Sequence, residues 1–306
     1  MSLAEAQTAA AAPANGTAAG IVRLLRPHHW TKNLLCMAGV VFSGQYLQPW
    51  AILGAVKTVV VFCAASSAVY VFNDLVDRKR DRLHAHKKAR PLASGAVGVP
   101  LAVILGLAMG GAALAGSAAM GRSVLVCTAL YLLVNLLYTL SLKHAPLLDV
   151  LSIAVGFVLR MLAGVYVVRE LPTAWIVLCT FFLSLFLALA KRRSELAHRA
   201  SDDSTQRPVL AHYSLPFLEQ MVVSAGVMAV MCYALFTTTS GKNHALMLTV
   251  PIVVYGIMSY QSRIMQLPIG QEPEEVLLKD FRIQLCIIAW LASYVAITYF
   301  DPQLFR

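Results

Sequence analysis

Hydrophobic residues gather in long stretches along this chain, and the polar and charged residues gather between them. Most of the stretches approach the roughly 20 residues that cross a bilayer as a helix. Nine can be distinguished, near residues 34–48, 51–72, 101–119, 123–140, 147–168, 173–190, 215–238, 246–265 and 283–300. Gly44, Gln45 and Pro49 interrupt the first of them. The pattern predicts an all-α membrane protein with nine transmembrane helices.

The composition supports this interpretation and excludes a separate soluble domain. Of the 306 residues, 58% are hydrophobic and 13% are charged, whereas soluble domains carry about 25% charged residues. No polar block is long enough to bury its own core, so residues 21–306 are expected to form a single polytopic domain. Residues 1–20 are rich in Ala and lack the features of a secretory signal, which predicts a disordered tail.

The net charge of +10 arises mainly from Lys and Arg residues that lie between the apolar stretches. In a membrane protein such an excess indicates cytoplasmic loops, not nucleic-acid binding. With the N-terminus inside, the inner segments hold 19 of the 25 Lys and Arg residues, and the outer segments hold four. The distribution predicts a cytoplasmic N-terminus and an external C-terminus. It also places the end of the second apolar stretch, with its acidic motif, in the cytoplasm.

That acidic motif is the main candidate for chemistry. Asn73, Asp77 and Asp81 are spaced four apart, so they share one face of a helix. Their oxygens suit Mg²⁺, which is usually bound by one or two carboxylates and by substrate phosphates. Arg78 offers a donor to those phosphates. Asp74 lies about 100° from Asn73 on an ideal helix, so we expect it to support the metal ligands or to accept from a hydroxyl.

A second interpretation remains open for these charges, because they could simply pair along a solvated helix end. The same choice applies to Lys191 and Glu195, which share a helical face and could bind phosphate or pair with each other. Lys32 and Lys143 are either phosphate ligands or headgroup anchors.

Arg160 lies within the fifth apolar stretch, about 20 Å along the helix axis. A charge at this depth is costly and normally faces a bundle interior or a cavity. We therefore expect a substrate-binding role. The alternative is a structural pair with an acid such as Asp149, which is three turns away on the same helix. Arg90, in the loop after the second stretch, is a further candidate for phosphate contact.

At these residues the chain resembles the UbiA superfamily of intramembrane prenyltransferases. The matching segments are Asn73-Asp74-x-x-Asp77-x-x-x-Asp81, Tyr138-Thr139-x-x-Leu142-Lys143, and Asp149 followed by Gly156-x-x-x-Arg160-x-x-Ala163-Gly164. The resemblance implies a nine-helix bundle around a cytoplasm-facing cavity. It also implies a second DxxxD motif that helps to hold Mg²⁺ on a diphosphate. Here Lys191-x-x-x-Glu195 stands at that place, so a cation replaces one carboxylate.

This departure is similar to one branch of the superfamily, as is Arg26-Pro27-x-x-Trp30-x-Lys32-Asn33. Members of that branch act in mycobacterial and corynebacterial envelope synthesis. They transfer 5-phosphoribose from phosphoribosyl diphosphate (PRPP) to a polyprenyl (decaprenyl) phosphate, which supplies cell-wall arabinan. The resemblance implies this activity, Mg²⁺ as cofactor, and a multi-pass location in the plasma membrane. It implies PRPP, the polyprenyl phosphate and membrane lipids as partners, and the small residues of 106–121 could support a homo-oligomer.

The resemblance also implies roles for individual residues. Asp74, Asp77 and Asp81 are expected to be catalytic, and Asn73, Asp77 and Asp81 to hold the metal. The expected substrate-binding residues are Lys32, Asn73, Arg78, Arg90, Lys143, Arg160, Lys191 and Glu195. The attacking lipid phosphate is already anionic, so catalysis would consist of positioning and of charge stabilisation on the leaving group.

Two other functions are compatible with parts of the sequence. An ordinary prenyltransferase would join a prenyl diphosphate to an aromatic acceptor, but it predicts carboxylates at both 191 and 195. A transporter for a phosphorylated solute would suit the basic loops and Arg160. It gives no reason for an acidic ladder at a helix end. An inactive structural subunit is a third possibility, which the convergence of polar groups on one face disfavours.

Overall fold

The computed structural model describes residues 17–83, 87–199, 208–241, 243–266, 276, 280–302 and 304. Every regular element in these ranges is helical. The α-helices are α1 (Thr17–Leu25), α2 (Ala38–Ser43), α3 (Pro49–Leu83), α4 (Pro91–Ser94), α5 (Val99–Met120), α6 (Arg122–Leu140), α7 (Leu148–Val167), α8 (Ala174–Arg199), α9 (Leu215–Thr239), α10 (Val250–Gln266) and α11 (Phe281–Phe300). The 3₁₀ helices are Pro27–Met37, Lys87–Ala89, Leu142–His144, Pro208–His212 and His244–Thr249.

Eight helical segments of the described chain are long and apolar enough to cross a membrane. They are α3, α5, α6, α7, most of α8, α9, the continuous segment His244–Gln266 that ends in α10, and α11. They coincide with eight of the nine predicted apolar stretches. The prediction of an all-α membrane protein is confirmed.

The first predicted stretch takes a different form, because 3₁₀ helix Pro27–Met37 runs directly into α2. Its contacts follow α3 in the opposite direction. Near one end the indole of Trp30 donates to Ser67 of α3 (3.1 Å), and near the other Val40 packs with Ala51 and Ala55 at the start of α3. The 3₁₀ part rises about 22 Å and α2 about 9 Å, which together match the hydrocarbon thickness of about 30 Å. Residues 27–43, named here the first crossing, therefore traverse the bundle.

Two glycines allow the first crossing to lie against α7 with backbone in contact. A Cβ added to Gly164 would stand 1.9 Å from the carbonyl oxygen of Cys36. A Cβ added to Gly39 would stand 2.0 Å from the carbonyl oxygen of Gly164. No side chain fits in either place, because the obstacle is backbone on both sides.

The amphipathic helix α1 precedes the first crossing. Leu24 is fully buried against Val71 of α3 and Leu92 of α4, so α1 lies on the end of the bundle where α3 finishes. Because α1 begins at Thr17, the last four residues of the predicted 1–20 tail are helical. Residues 1–16 lie outside the described ranges.

The helix α3 is long enough to carry its acidic motif beyond the hydrocarbon layer. Its 35 residues rise about 52 Å, which exceeds the hydrocarbon thickness of about 30 Å by several turns. The connection between α6 and α7 and the last turns of α8 reach the same end of the bundle, here called the site face. The candidate residues of both sequence motifs therefore meet on one face.

Candidate active site

Arg90 joins two aspartates at the end of α3. Its Nη1 donates to Asp74 Oδ1 (3.1 Å) and to Asp81 Oδ2 (2.8 Å), and Arg26 Nη2 also donates to Asp74 Oδ1 (2.6 Å). The sequence interpretation set Asp74 apart by comparing it with Asn73. In the structure Asp74 shares Arg90 with Asp81, which follows seven residues later and lies about 20° away on an ideal helix. Asp74 therefore belongs to the same acidic face.

Asp77 is paired from a different connection. Lys143, which follows α6, places its Nζ 2.7 Å from Asp77 Oδ1. The Asp77 side chain is 22% exposed, and Asn73 is half-buried one turn earlier. We call the set Asp74, Asp77, Asp81, Arg26, Arg90 and Lys143 the α3 cluster, in which three cations face three carboxylates.

The α3 cluster has the donor chemistry for Mg²⁺. Its carboxylates are hard oxygen ligands, and Asp74 Oδ2 is buried without a hydrogen-bond partner in the described chain. An unused oxygen in a buried carboxylate is costly unless a ligand satisfies it. Within the described residues no three acidic, His or Cys side chains already surround one point. The cations stand between the carboxylates, so a metal could bind there only if Arg90 and Lys143 moved away from them.

A second cluster lies where α7 and α8 meet the site face. Arg192 Nε donates to Asp149 Oδ2 (2.7 Å), and its Nη1 donates to Glu195 Oε2 (2.8 Å). The hydroxyl of Tyr213 donates to Asp149 Oδ1 (2.7 Å) and accepts from the backbone N–H of Leu147 (2.6 Å). Burial, together with the hydrogen bond to Asp149, raises the pKa of Tyr213 to about 12. Tyr213 is therefore a hydrogen-bond donor at neutral pH. We call Asp149, Arg192, Glu195 and Tyr213 the α8 cluster.

Arg160 is buried inside the bundle and is not brought to either cluster. Its Nε donates to Asn33 Oδ1 (2.8 Å), Nη1 to the Gly156 carbonyl (3.0 Å) and Nη2 to the Tyr131 hydroxyl (2.8 Å). The guanidinium also lies 4.5 Å from the centre of the Tyr131 ring, a favourable cation–π arrangement. The alternative pair with Asp149 is not formed, because Asp149 binds Arg192. These contacts tie the first crossing to α6 and α7.

The other predicted residues are placed around the clusters. Arg78 donates from Nε to the carbonyl of Leu92 (3.2 Å), which holds α4 against α3. Lys32 is half-buried in the first crossing, next to Asn33. Lys191 is half-buried on α8, one residue before Arg192. The structure thus unites Asp74, Asp77 and Asp81 with Arg90 and Lys143, and it unites Glu195 with a different set.

Four members of the clusters were missing from the predicted site residues. Arg26 and Asp149 were quoted in motifs without being assigned to the site, and Tyr213 had no sequence signal. Arg192 stands in a run of three consecutive cations, Lys191-Arg192-Arg193, from which the motif spacing selects Lys191. The structure separates Arg192 from Arg193, because Arg192 is 1% exposed while Arg193 binds Glu219 at 2.9 Å. Packing alone decides which of three consecutive cations faces inward.

The fold and the two charged clusters define an integral membrane protein with a polar site at one face of a helical bundle. The chain belongs to the UbiA prenyltransferase family, whose model matches residues 33–285.

Relatives and solved structures agree with this assignment. The chain is 32% identical to a decaprenyl-phosphate phosphoribosyltransferase of Mycolicibacterium smegmatis, over 97% of this chain and 98% of that protein. It is 29% identical to the Corynebacterium glutamicum protein of the same name, over 95% and 90% of the two chains. A UbiA homolog from Archaeoglobus fulgidus bound to GPP and Mg²⁺ has the same fold, with a TM-score of 0.73 and 20% identity over 92% of this chain and 99% of that one.

Proposed function

We propose that this protein transfers 5-phosphoribose from PRPP to a polyprenyl (decaprenyl) phosphate and releases diphosphate, for the synthesis of cell-wall arabinan precursors. The observation that carries the proposal is the α3 cluster, in which three carboxylates and three cations converge on the site face of the bundle. The two relatives named above, similar over nearly their whole length, support the choice of substrates.

The proposed reaction is a substitution at the anomeric carbon of the ribose. The bond from this carbon to the diphosphate oxygen breaks, and the oxygen keeps the electron pair. An oxygen of the lipid phosphate forms the new bond to the same carbon. No proton has to move, because a phosphate monoester carries about 1.5 to 2 negative charges at pH 7. The protein therefore contributes positioning and charge stabilisation.

The α3 cluster supplies the groups for both tasks. Asp77 and Asp81, with Asn73, would hold Mg²⁺, and Asp74 offers its unused oxygen beside them. A bound Mg²⁺ stabilises the growing charge of a diphosphate. Arg90 and Lys143 can exchange their carboxylate partners for phosphate oxygens, since both cations favour either anion.

The remaining candidates surround this centre. Lys32, Arg78, Lys191 and Glu195 would contact substrate from the first crossing, α3 and α8. We propose that the site face is cytoplasmic and that the protein lies in the plasma membrane, with its N-terminus inside and its C-terminus outside. PRPP would then arrive from the cytosol, and the phosphate of the acceptor from the inner leaflet.

The test uses membranes that contain the protein, incubated with PRPP and decaprenyl phosphate, with and without Mg²⁺. We expect a phosphoribosyl lipid that forms only with Mg²⁺. Asp77→Asn and Asp81→Asn should each lower its rate by at least about 100-fold, since metal charge stabilisation is worth several kcal/mol. The same membranes given a prenyl diphosphate and an aromatic acceptor test the rival prenyltransferase. Absence of the phosphoribosyl lipid, or full activity of both variants, would contradict the proposal.

A further inference from the structure

The cations of the two clusters differ in their exposure and in whether they can leave their carboxylates. In the α3 cluster the side chains of Arg26, Arg90 and Lys143 are 17%, 26% and 13% exposed. They come from loops or helix ends, so they can move into solvent when a metal arrives. In the α8 cluster the side chain of Arg192 is only 2% exposed, and it rises from within helix α8. Its charge cannot leave the two carboxylates without remaining buried and unpaired, which is strongly unfavourable.

Arg192 occupies the position between two carboxylates that a divalent cation would otherwise fill. Asp149 comes from α7 and Glu195 from α8, and the guanidinium lies 2.7 Å from one and 2.8 Å from the other. Paired carboxylates on neighbouring helices are a typical arrangement for binding a hard cation. Here a fixed positive charge already compensates both of them.

Both oxygens of Asp149 already accept a hydrogen bond. Arg192 takes Oδ2, and the hydroxyl of Tyr213 takes Oδ1. This differs from Asp74 in the α3 cluster, whose Oδ2 is buried and unused within the described chain. The sequence pointed to Lys191 as the cation that replaces an acid in the second motif. In the structure the cation that lies between Asp149 and Glu195 is the next residue, Arg192.

We propose that Arg192 is a built-in cation that takes the place of a divalent ion in the α8 cluster, so that metal binding by this protein is confined to the α3 cluster. Asp149 and Glu195 then act as a metal-free pair. The inference deepens the proposed function and rests on it for the metal requirement, but it does not depend on which diphosphate is the donor.

The first experiment measures Mn²⁺ binding to the purified full-length protein by electron paramagnetic resonance of the free ion. We compare Glu195→Gln with Asp81→Asn. The matched control is Glu219→Gln, because Glu219 also pairs with an arginine of α8 but lies outside both clusters. Glu195→Gln should leave the number of bound ions unchanged and their Kd within about twofold, as should the control. Asp81→Asn should raise the Kd by at least about tenfold.

Loss of an ion in Glu195→Gln, or a tenfold weaker Kd, would overturn the proposal. Unchanged binding in Asp81→Asn would overturn it as well, since the metal would then lie elsewhere. Neither measurement involves PRPP or a lipid acceptor. Failure of the proposed function, seen as a missing phosphoribosyl product, is therefore distinguishable from failure of this inference.

A second variant tests whether the guanidinium of Arg192 takes the place of a metal ion. Arg192→Met removes the guanidinium and frees oxygens of Asp149 and Glu195. Where thermal unfolding shows that this variant folds, it should bind one more Mn²⁺ than the wild type, and adding Glu195→Gln should remove that ion. A folded Arg192→Met variant with the wild-type ion count would contradict the proposal. If the variant does not fold, the Glu195→Gln comparison decides the question.

Discussion

Arg90 shows how one side chain can organise several others. Its single nitrogen Nη1 lies between Asp74 and Asp81, so without it two carboxylates would face each other at the end of α3. The same guanidinium is partly exposed and can reach an incoming phosphate. A residue with both properties influences the site before and after the substrate binds.

We expect Arg90→Gln to lower kcat/KM for PRPP by about 10- to 100-fold, the value of a lost hydrogen bond to a charged group. Arg82→Gln is the control, because Arg82 also joins α3 to the segment that follows it, through its Nε to the carbonyl of Ala93 in α4, but contacts none of the aspartates within the described chain. Steady-state kinetics at saturating Mg²⁺ provide the measurement. Equal kinetics for the two variants would show that Arg90 does not contact the donor.

A substitution of Arg160 distinguishes a structural role of this residue from a role in substrate binding. Arg160→Met leaves Asn33 Oδ1 and the Tyr131 hydroxyl without their donor, and each unsatisfied buried group costs about 1–3 kcal/mol. We expect a lower thermal unfolding temperature in detergent and a nearly unchanged KM for PRPP. A large rise in KM with normal stability would support the sequence prediction that Arg160 binds substrate.

At the residue scale the motif spacing predicted the acidic face and the candidate Lys143, because helical geometry follows from sequence separation. It did not predict the partner of each charge. Arg26 reaches Asp74 across 48 residues of sequence, and Arg192 is distinguished from Arg193 only by packing. Such contacts depend on how the helices pack against one another, and local sequence patterns do not specify that packing.

At the scale of elements the first crossing is the least regular part of the bundle. Gly44, where φ is +73°, ends α2 directly after the first crossing and interrupts the apolar stretch. The apolar pattern predicted a membrane crossing here, but the 3₁₀ geometry could not be foreseen, since it is set by the contacts with α3 and α7. The long helices were predictable because each contains a predominantly apolar run of adequate length.

Gly164→Ala tests the close approach of this element to α7. The new Cβ would lie 1.9 Å from the Cys36 carbonyl oxygen, and backbone cannot rotate away as a side chain can. We expect destabilisation of at least about 1–3 kcal/mol, as for overpacked cores, measured as a lower thermal unfolding temperature.

The control for this substitution is Gly111→Ala on α5, where an added Cβ has nothing within 4 Å. Alanine has the higher helix propensity, by about 1 kcal/mol, so this variant should be as stable as the wild type or more stable. Equal unfolding temperatures for Gly164→Ala and the wild type would show that the two segments can separate at little cost.

At the scale of the whole molecule the charge distribution predicts which face meets the cytoplasm. Leu83, at the end of α3, is 91% exposed on the site face, and Leu171, after α7, is 85% exposed on the opposite face. In intact cells a membrane-impermeant maleimide should label Leu171→Cys and should label Leu83→Cys only after permeabilisation. The six native cysteines are buried or half-buried, so the parent protein is the control. Labelling in the reverse order would invert the proposed topology.

The length of α3 has a consequence for the lipid environment. Because α3 is a continuous helix, its length sets the position of the aspartates along the membrane normal. The phosphate of a lipid acceptor has to lie at the same depth to reach them. A bilayer a few ångströms thicker or thinner shifts that depth relative to the protein, at a cost of fractions of a kcal/mol per Å of mismatch. The rate of turnover in vesicles of graded acyl-chain length should therefore be highest at one bilayer thickness. The activity of the protein would then depend on the thickness of its membrane.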